Sequence, residues 1–392
     1  MTRSNVSQEN LEAKLPRRDW ILLPMLSLLT VAVCLLAAEV MAKYFFASER
    51  RDTCLIDNSR MDSEHRPNCS TRMKTAEGPW ITNQYNDCGY RTKESCGPKR
   101  LGSTRIALIG SSGSEGVYVE YDRTFAKRTA SDLTRILGRP VEVQNLGRTA
   151  CFPICVFQQT DKALALKPDL LIMAIDPYDI EHLDPTQMSS RYMPILPHHT
   201  TAAVEEKPSL LARMNSFAKS TIWMVAAQHF VFQNTATYAR IYLQYGDHAD
   251  YLRTGFSPAW ERRFDAFEIL LGEMADKSNA ANVPFVLIEI PSLAQASLSR
   301  EKNLPAGVNP YAFNARLKQI SSRQRIQFVD GLDALKGEQG ANELFYVTDG
   351  HMNGEGHALI SRALIEQLTK GQAAVLLGRN ETQVQADSES GK

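Results

Sequence analysis

The chain has 392 residues, with 44 basic and 44 acidic side chains, 43% hydrophobic and 22% charged residues. This is the composition of an ordinary globular protein with room for a sizeable core, in one large domain or two smaller ones. A net charge of zero argues against a nucleic-acid partner, because phosphate binding calls for a basic excess.

The first element is an uncharged run of 19 residues, Trp20 to Ala38. As a helix it would span roughly 28 Å, close to the hydrocarbon thickness of a bilayer. Trp20 at one end and Lys43, Tyr44, Phe45 and Phe46 at the other are the aromatic and cationic residues that anchor at an interface. A cleaved signal is the rival reading, since Val40-Met41-Ala42 has the small-x-small look of a processing site. The length of the run and of its leader favours a retained anchor over residues 20–42, behind a cytoplasmic tail over residues 1–19. Basic residues flank both ends, so charge alone orients the span weakly.

Cysteines orient it better. Cys34 lies in the span, and Cys54, Cys69, Cys88, Cys96, Cys151 and Cys155 follow it. An even set suits disulfides in an oxidising compartment, although six cysteines allow 15 pairings between which the sequence does not choose. Some could instead be buried free thiols. No CxxC pair or Cys/His cluster at zinc spacing occurs, so no metal and no cofactor is expected. These features describe a single-pass membrane protein with an exported body, periplasmic or extracellular.

Residues 43–104 read as a cysteine-rich connection with little periodicity, in which cross-links do what a core does elsewhere. The texture changes at Arg105-Ile-Ala-Leu-Ile-Gly110, a short apolar run ending in glycine, as in a buried strand. Similar runs recur at Val141–Leu146, Asp169–Ile175, Val283–Ile290 and Ile326–Val329. Helix-like stretches lie between them at Phe125–Leu137, Val156–Leu166, Pro258–Asn279, Ala312–Ser322 and Gly354–Leu368. This alternation predicts an α/β fold, a parallel sheet covered on both faces with its chemistry at the carboxyl ends of the strands, over residues 105–370. Residues 180–257 interrupt it as a long insertion whose aromatic, helix-compatible part suits a subsidiary core or a lid. The last residues, 371–392, are polar and read as a disordered tail.

Two motifs carry chemistry. After the first strand comes Gly110-Ser111-Ser112-Gly113-Ser114-Glu115-Gly116, a turn that can lift one serine hydroxyl above the sheet, with amides at the next helix start to stabilise an oxyanion. A plain loop or a phosphate cradle would also fit this stretch. Near the C-terminus lies Asp349-Gly350-His351-Met352-Asn353-Gly354-Glu355-Gly356-His357. A serine needs a base, and an imidazole oriented by a carboxylate is the usual one, so Asp349 and His351 are candidates. An Asx turn, or metal binding by Asp349, His351 and His357, are the alternatives. Asp330, after the fifth strand, is a second candidate orienter, although strand-end aspartates commonly cap turns. Cys151 and Cys155 read as a disulfide rather than as thiol nucleophiles.

Together these residues resemble the SGNH, or GDSL-like, hydrolases over roughly Arg105 to Leu368. The resemblance implies a three-layer α/β/α sandwich with Ser112 as nucleophile in the GDSxxxG block, where Ser111 stands in place of the usual aspartate. Asn145-Leu146-Gly147 is similar to the block whose glycine amide helps form the oxyanion hole. Ala174-Ile175-Asp176-Pro177-Tyr178-Asp179 matches the GxND block, with Tyr178 where the family places its asparagine. By resemblance Asp349 orients His351 as base. The amides of Ser112 and Gly147 are the oxyanion donors, with Tyr178 or Asn145 as substitutes for the missing asparagine. One residue between Asp349 and His351, as in the alginate-acetylation branch, points to envelope polysaccharide acyl chemistry. The expected activity is that of a membrane-anchored esterase or O-acetyltransferase on acylated carbohydrate or another ester, with polysaccharide-export machinery as a partner. The alternative is a non-catalytic glycan-binding or assembly protein on a degenerate scaffold of the same kind.

Overall fold

The computed structural model describes residues 16, 18–56, 64–189, 222–337 and 340–370. Most of the expected cytoplasmic tail, the C-terminal tail and the middle of the insertion lie outside these residues. The chain divides into two compact units, Met1–Ala47 with Pro208–Ala226, and Ser48–Lys207 with Ala227–Lys392.

The first unit contains helix α1, Asp19–Phe46, which by length and composition is apolar enough to cross a membrane. Its large apolar side chains are exposed on all sides and only Ala42 is buried. Within this unit the Glu39 carboxylate accepts from the Ile222 and Trp223 amides at 3.4 and 3.3 Å.

The second unit is built on five strands: β1 Thr104–Ile109, β2 Val141–Asn145, β3 Leu170–Ile175, β4 Phe285–Glu289 and β5 Gln327–Val329. All neighbours are parallel, in the order β2-β1-β3-β4-β5. Strands β1, β2, β3 and β4 are buried at every position, as a parallel sheet covered on both faces requires. Alternate side chains divide between two cores. Ala107, Ile109, Leu171, Met173 and Leu287 face one of them, with Val156 and Phe157, Trp260 and Phe264, and Phe313 and Leu317. These come from α4 Pro153–Ala165, α6 Pro258–Ala280 and α7 Ala312–Arg323. Ile106, Leu108, Ile172, Ala174, Val286 and Ile288 face the other, under α3 Phe125–Leu137 and α8 Gly354–Lys370. The result is the expected three-layer α/β/α sandwich. Chain order crosses from β2 over β1 to β3, so the switch point of the sheet lies between β1 and β3, where such folds place their sites.

The cysteine-rich connection is not a separate module, since from Ser48 onward it belongs to the same unit as the sheet. Among its described residues the strands form two short antiparallel pairs, Leu55–Ile56 with Glu64–His65 and Ser70–Met73 with Ile81–Gln84. The cysteines pair as Cys54–Cys69, Cys88–Cys96 and Cys151–Cys155, leaving Cys34 free. Each bridge closes a short loop, fewer than 20 residues long, so each links neighbouring segments rather than distant ones. Tyrosines of the insertion join the main core on one face of the sheet rather than forming a subsidiary one. Tyr238, Tyr242 and Tyr251 make ring contacts, and Tyr251 extends them to Trp260 and Phe313.

Phe264 is fully buried where α6 meets the sheet. Phe264→Ala should cost about 3–5 kcal/mol of unfolding free energy, read as a lowered urea midpoint at unchanged slope.

Candidate active site

Strand β1 ends at Ile109 and the chain turns through Gly110 into the one-turn helix α2, Ser112–Glu115. Gly110 has φ +150° and a Cβ there would lie 2.6 Å from the Ala174 carbonyl, so the turn can press against β3 only as glycine. This lifts Ser112 to the carboxyl end of the sheet at the switch point.

The second half of the site is a tight loop before α8. Phe345 and Met352 form an antiparallel bridge, the Tyr346 amide donates to the His351 carbonyl at 2.9 Å, and the Gly350 amide donates to the Tyr346 carbonyl at 2.7 Å. Gly350 takes φ +88°, the left-handed geometry that lets Asp349 and His351 approach each other with one residue between them. Asp349 Oδ1 lies 2.5 Å from His351 Nδ1, and His351 Nε2 lies 2.8 Å from Ser112 Oγ. An ionised carboxylate only accepts, so Nδ1 carries the proton and Nε2 is free to accept from the serine hydroxyl. The edge of the imidazole meets the Tyr118 ring at 5.4 Å and 81°.

Electrostatics follow the same geometry. Burial pulls the His351 imidazole down, but its hydrogen bond to Asp349 and the charge of that carboxylate outweigh this and leave it above the usual histidine range. Burial pushes Asp349 up, yet His351 and Arg50 hold it below the usual carboxylate range. Arg50 Nη2 reaches Asp349 Oδ2 at 3.1 Å. Asp330 is elsewhere: it caps the helical turn Gly331–Ala334, accepts from the Leu332 and Asp333 amides, and takes the Asn314 amide at 2.6 Å. His357 is buried in α8, where its Nδ1 accepts from the Phe125 amide at 3.1 Å. Burial takes its pKa down to about 3, and it packs as a neutral core group.

The expected oxyanion residues are placed unevenly. The Ser112 amide stands at the start of α2. The Gly147 amide donates to Asn145 Oδ1 at 2.9 Å, and Asn145 Nδ2 donates to the Ser114 carbonyl at 2.9 Å. Asn145 is buried and knits the second block to the nucleophile turn. Tyr178 is 57% exposed on the cavity wall, its ring close to Phe152 and His182.

Three supporting groups have roles that the motifs did not assign. The hydroxyl of Ser111 donates to Asp179 Oδ2 at 3.1 Å. The turn therefore meets, from the helical turn Pro177–Glu181 after β3, the carboxyl group that residue 111 does not supply. Asp176 and Asp179 cap each other's amides reciprocally. Burial, and then the charge of Asp176, push Asp179 well above the usual carboxylate range, and burial also raises Asp176. Arg91, fully buried, donates to the carbonyls of Glu115 and Gly116 and, at 2.6 Å, to that of Val119. Glu115, also fully buried, accepts from Tyr85 Oη at 2.8 Å and from the Thr149 amide at 2.7 Å. An isolated arginine in a loop-like stretch gives no sequence signal for such a role. The reciprocal Asp176/Asp179 spacing at a helix start does give one.

These groups surround a cavity of about 580 Å³ lined by Ser112, His351, Asp349, Arg50 and Asp176, together with Phe152, Tyr178, Tyr238, Tyr242, Tyr251 and Phe345. No family model matches the sequence, and no curated protein gives a significant match. Among solved structures its likenesses are esterases and lipases of the GDSL kind. A catalytic variant of an acetylxylan esterase from Geobacillus stearothermophilus is 13% identical, with 69% of this chain and 96% of that one covered at a TM-score of 0.38. A lipase/acylhydrolase from Enterococcus faecalis is 11% identical, with 68% and 95% covered at 0.38. A GDSL-like lipase from Bacteroides thetaiotaomicron is 12% identical, with 68% and 88% covered at 0.32. Likenesses this remote carry no chemistry, which rests on the distances above.

Asp179→Ala strips the partner from the Ser111 hydroxyl and the Asp176 amide, and should lower stability by about 1–3 kcal/mol. Asp179→Asn keeps both acceptor contacts and removes a buried charge. Its thermal midpoint should therefore equal or exceed wild type at alkaline pH, where the native carboxyl is forced to ionise.

Proposed function

We propose that this chain is an SGNH-type serine hydrolase or acyltransferase that works on ester bonds through a covalent acyl-serine. The observation that carries this reading is the continuous line from Asp349 Oδ1 through His351 to Ser112 Oγ, with contacts of 2.5 and 2.8 Å. Ser112 Oγ attacks the ester carbonyl as its proton passes to His351 Nε2, and the amide of Ser112 faces the oxyanion. Collapse expels the alcohol, which takes the proton from His351. Water or an acceptor hydroxyl then gives its proton to Nε2 and attacks the acyl-serine, and as the acid or new ester departs, Ser112 Oγ takes that proton from Nε2, restoring the neutral imidazole. Gly147 joins the oxyanion donors when its amide exchanges Asn145 Oδ1 for the substrate oxygen.

The aromatic rings of the cavity support a carbohydrate ester as substrate, since flat apolar faces beside a few polar groups suit sugar rings. The length and composition of α1 and the three disulfides support a retained anchor over residues 20–42 with an exported catalytic domain over residues 105–370. Acetyl esters of an envelope polysaccharide are the substrates this arrangement favours.

An activated fluorophosphonate should label the full chain once, at Ser112, and Ser112→Ala should abolish labelling. A non-catalytic scaffold would leave wild type and variant equally silent. His351 must be neutral to act as base and its pKa lies above the usual 6.5, so the rate of p-nitrophenyl acetate hydrolysis should rise with pH along a limb centred above that value. The stabilising Asp349–imidazolium contact runs the opposite way, full at low pH and lost as pH rises through the raised value.

A further inference from the structure

The side chain of Arg50 has no place in the motifs of the family this chain resembles, yet it meets the carboxylate that orients His351. It comes from the short segment that follows α1, four residues after Phe46. Asp349 is almost completely enclosed, its side chain 3% exposed, and it divides its two oxygens: Oδ1 takes His351 and Oδ2 takes Arg50 at 3.1 Å. The segment that presents Arg50 is tied down on both sides. Glu49 exchanges backbone hydrogen bonds with Lys74 at 2.9 and 2.8 Å. Asp52 accepts from the Cys54 amide at 2.7 Å and from Tyr85 Oη at 2.7 Å.

As a stability element this ion pair would count for little, because the guanidinium is 57% exposed and exposed pairs are screened. Its leverage lies in what it touches. A carboxylate held at both oxygens has one orientation, and that orientation fixes the tautomer and plane of the imidazole. We propose that Arg50 is a positioning residue of the active site, fixing Asp349 against His351 and setting the pH range in which the base works. The proposal rests on the acyl-serine reading above. It makes the segment next to the apolar helix part of the site rather than a tether.

His351 is faced by Asp349 on its own loop, Asp176 after β3, Arg50 on the anchor-side segment, the Tyr118 ring beyond the nucleophile turn and His357 in α8. The two carboxylates favour the imidazolium and Arg50 opposes it. Loss of Arg50 therefore moves the imidazole further up, whereas loss of a merely structural contact changes the rate by the same factor at every pH.

The test uses the full chain in detergent micelles, comparing wild type, Arg50→Ala, Arg50→Gln and Arg50→Lys. Fluorophosphonate labelling and hydrolysis of p-nitrophenyl acetate are followed over about pH 5 to 9. Arg50→Ala and Arg50→Gln should each lose about tenfold in kcat at little changed KM, and move the acid limb up by about half a pH unit. Arg50→Lys should restore the wild-type limb and part of the rate. Arg50→Gln keeps the length of the side chain, so its result stands even if the alanine variant folds poorly. A wild-type profile in Arg50→Gln, or a rate loss with an unmoved limb, overturns the proposal while leaving the acyl-serine reading intact. Failure of the wild-type chain to label at all overturns both.

Discussion

The turn Gly110–Gly116 is the constraint on which the rest of this structure depends. A serine at the end of a buried parallel strand is useful only if the backbone beneath it does not move, and a tight turn leaves several carbonyls and amides without partners of their own. Here those groups are held from outside. The Arg91 guanidinium gathers three carbonyls, two of them within the turn. Asn145 takes the Ser114 carbonyl and Asp179 the Ser111 hydroxyl. Through Glu115 the turn in turn fixes Thr149, two residues beyond Gly147. Three segments distant in sequence, around Arg91, Asn145–Thr149 and Asp179, thus converge on one short turn, and a change in any of them reaches Ser112 through hydrogen bonds rather than through bulk packing.

That convergence explains why the cysteine-rich connection is ordered without a large core of its own. Burying a guanidinium is costly, and burial does depress the Arg91 pKa. The three carbonyls that its two terminal nitrogens reach offset this cost in part, while Nε stays buried without a partner, so the segment carrying Arg91 must be held in one place. The Cys88–Cys96 bridge brackets Arg91, and Tyr85 stacks on His65 at 3.9 Å while its hydroxyl reaches both Asp52 and Glu115. The disulfides therefore restrict a region whose buried polar groups would otherwise be freed by small excursions.

The layers of the sandwich were legible in the sequence because periodicity reports burial directly. Each apolar run read as a strand is one, with ends shifted by one or two residues, and α3 matches its expected limits at Phe125 and Leu137. Ser112, Asp349 and His351 were picked out for a different reason: glycines at 110, 113, 116 and 350 punctuate the turns that carry them. What was not legible is what holds those residues. Arg91, Glu115 and Arg50 act across long sequence separations, and their partners are mostly carbonyls or single carboxylate oxygens. Such pairings leave no spacing to read.

The departures from the pattern of the family that the sequence resembles become intelligible on the same terms. Residue 111 is a serine where an aspartate is usual in the family the sequence resembles, and a carboxyl group is supplied instead by Asp179, from the helical turn after β3, where Asp176 caps it. Such an exchange relocates a carboxyl group rather than removing it, and burial holds the relocated group well above the usual carboxylate range. A carboxylate on the nucleophile turn would add a third acid beside Asp176 and Asp179, both already pushed upward by burial, and like charges in a buried site cannot all ionise. Ser111 and the Asp176/Asp179 pair are therefore one unit. A lone Ser111→Asp substitution would crowd the site with acid, whereas the same change combined with Asp179→Asn would leave the number of buried carboxyl groups unchanged.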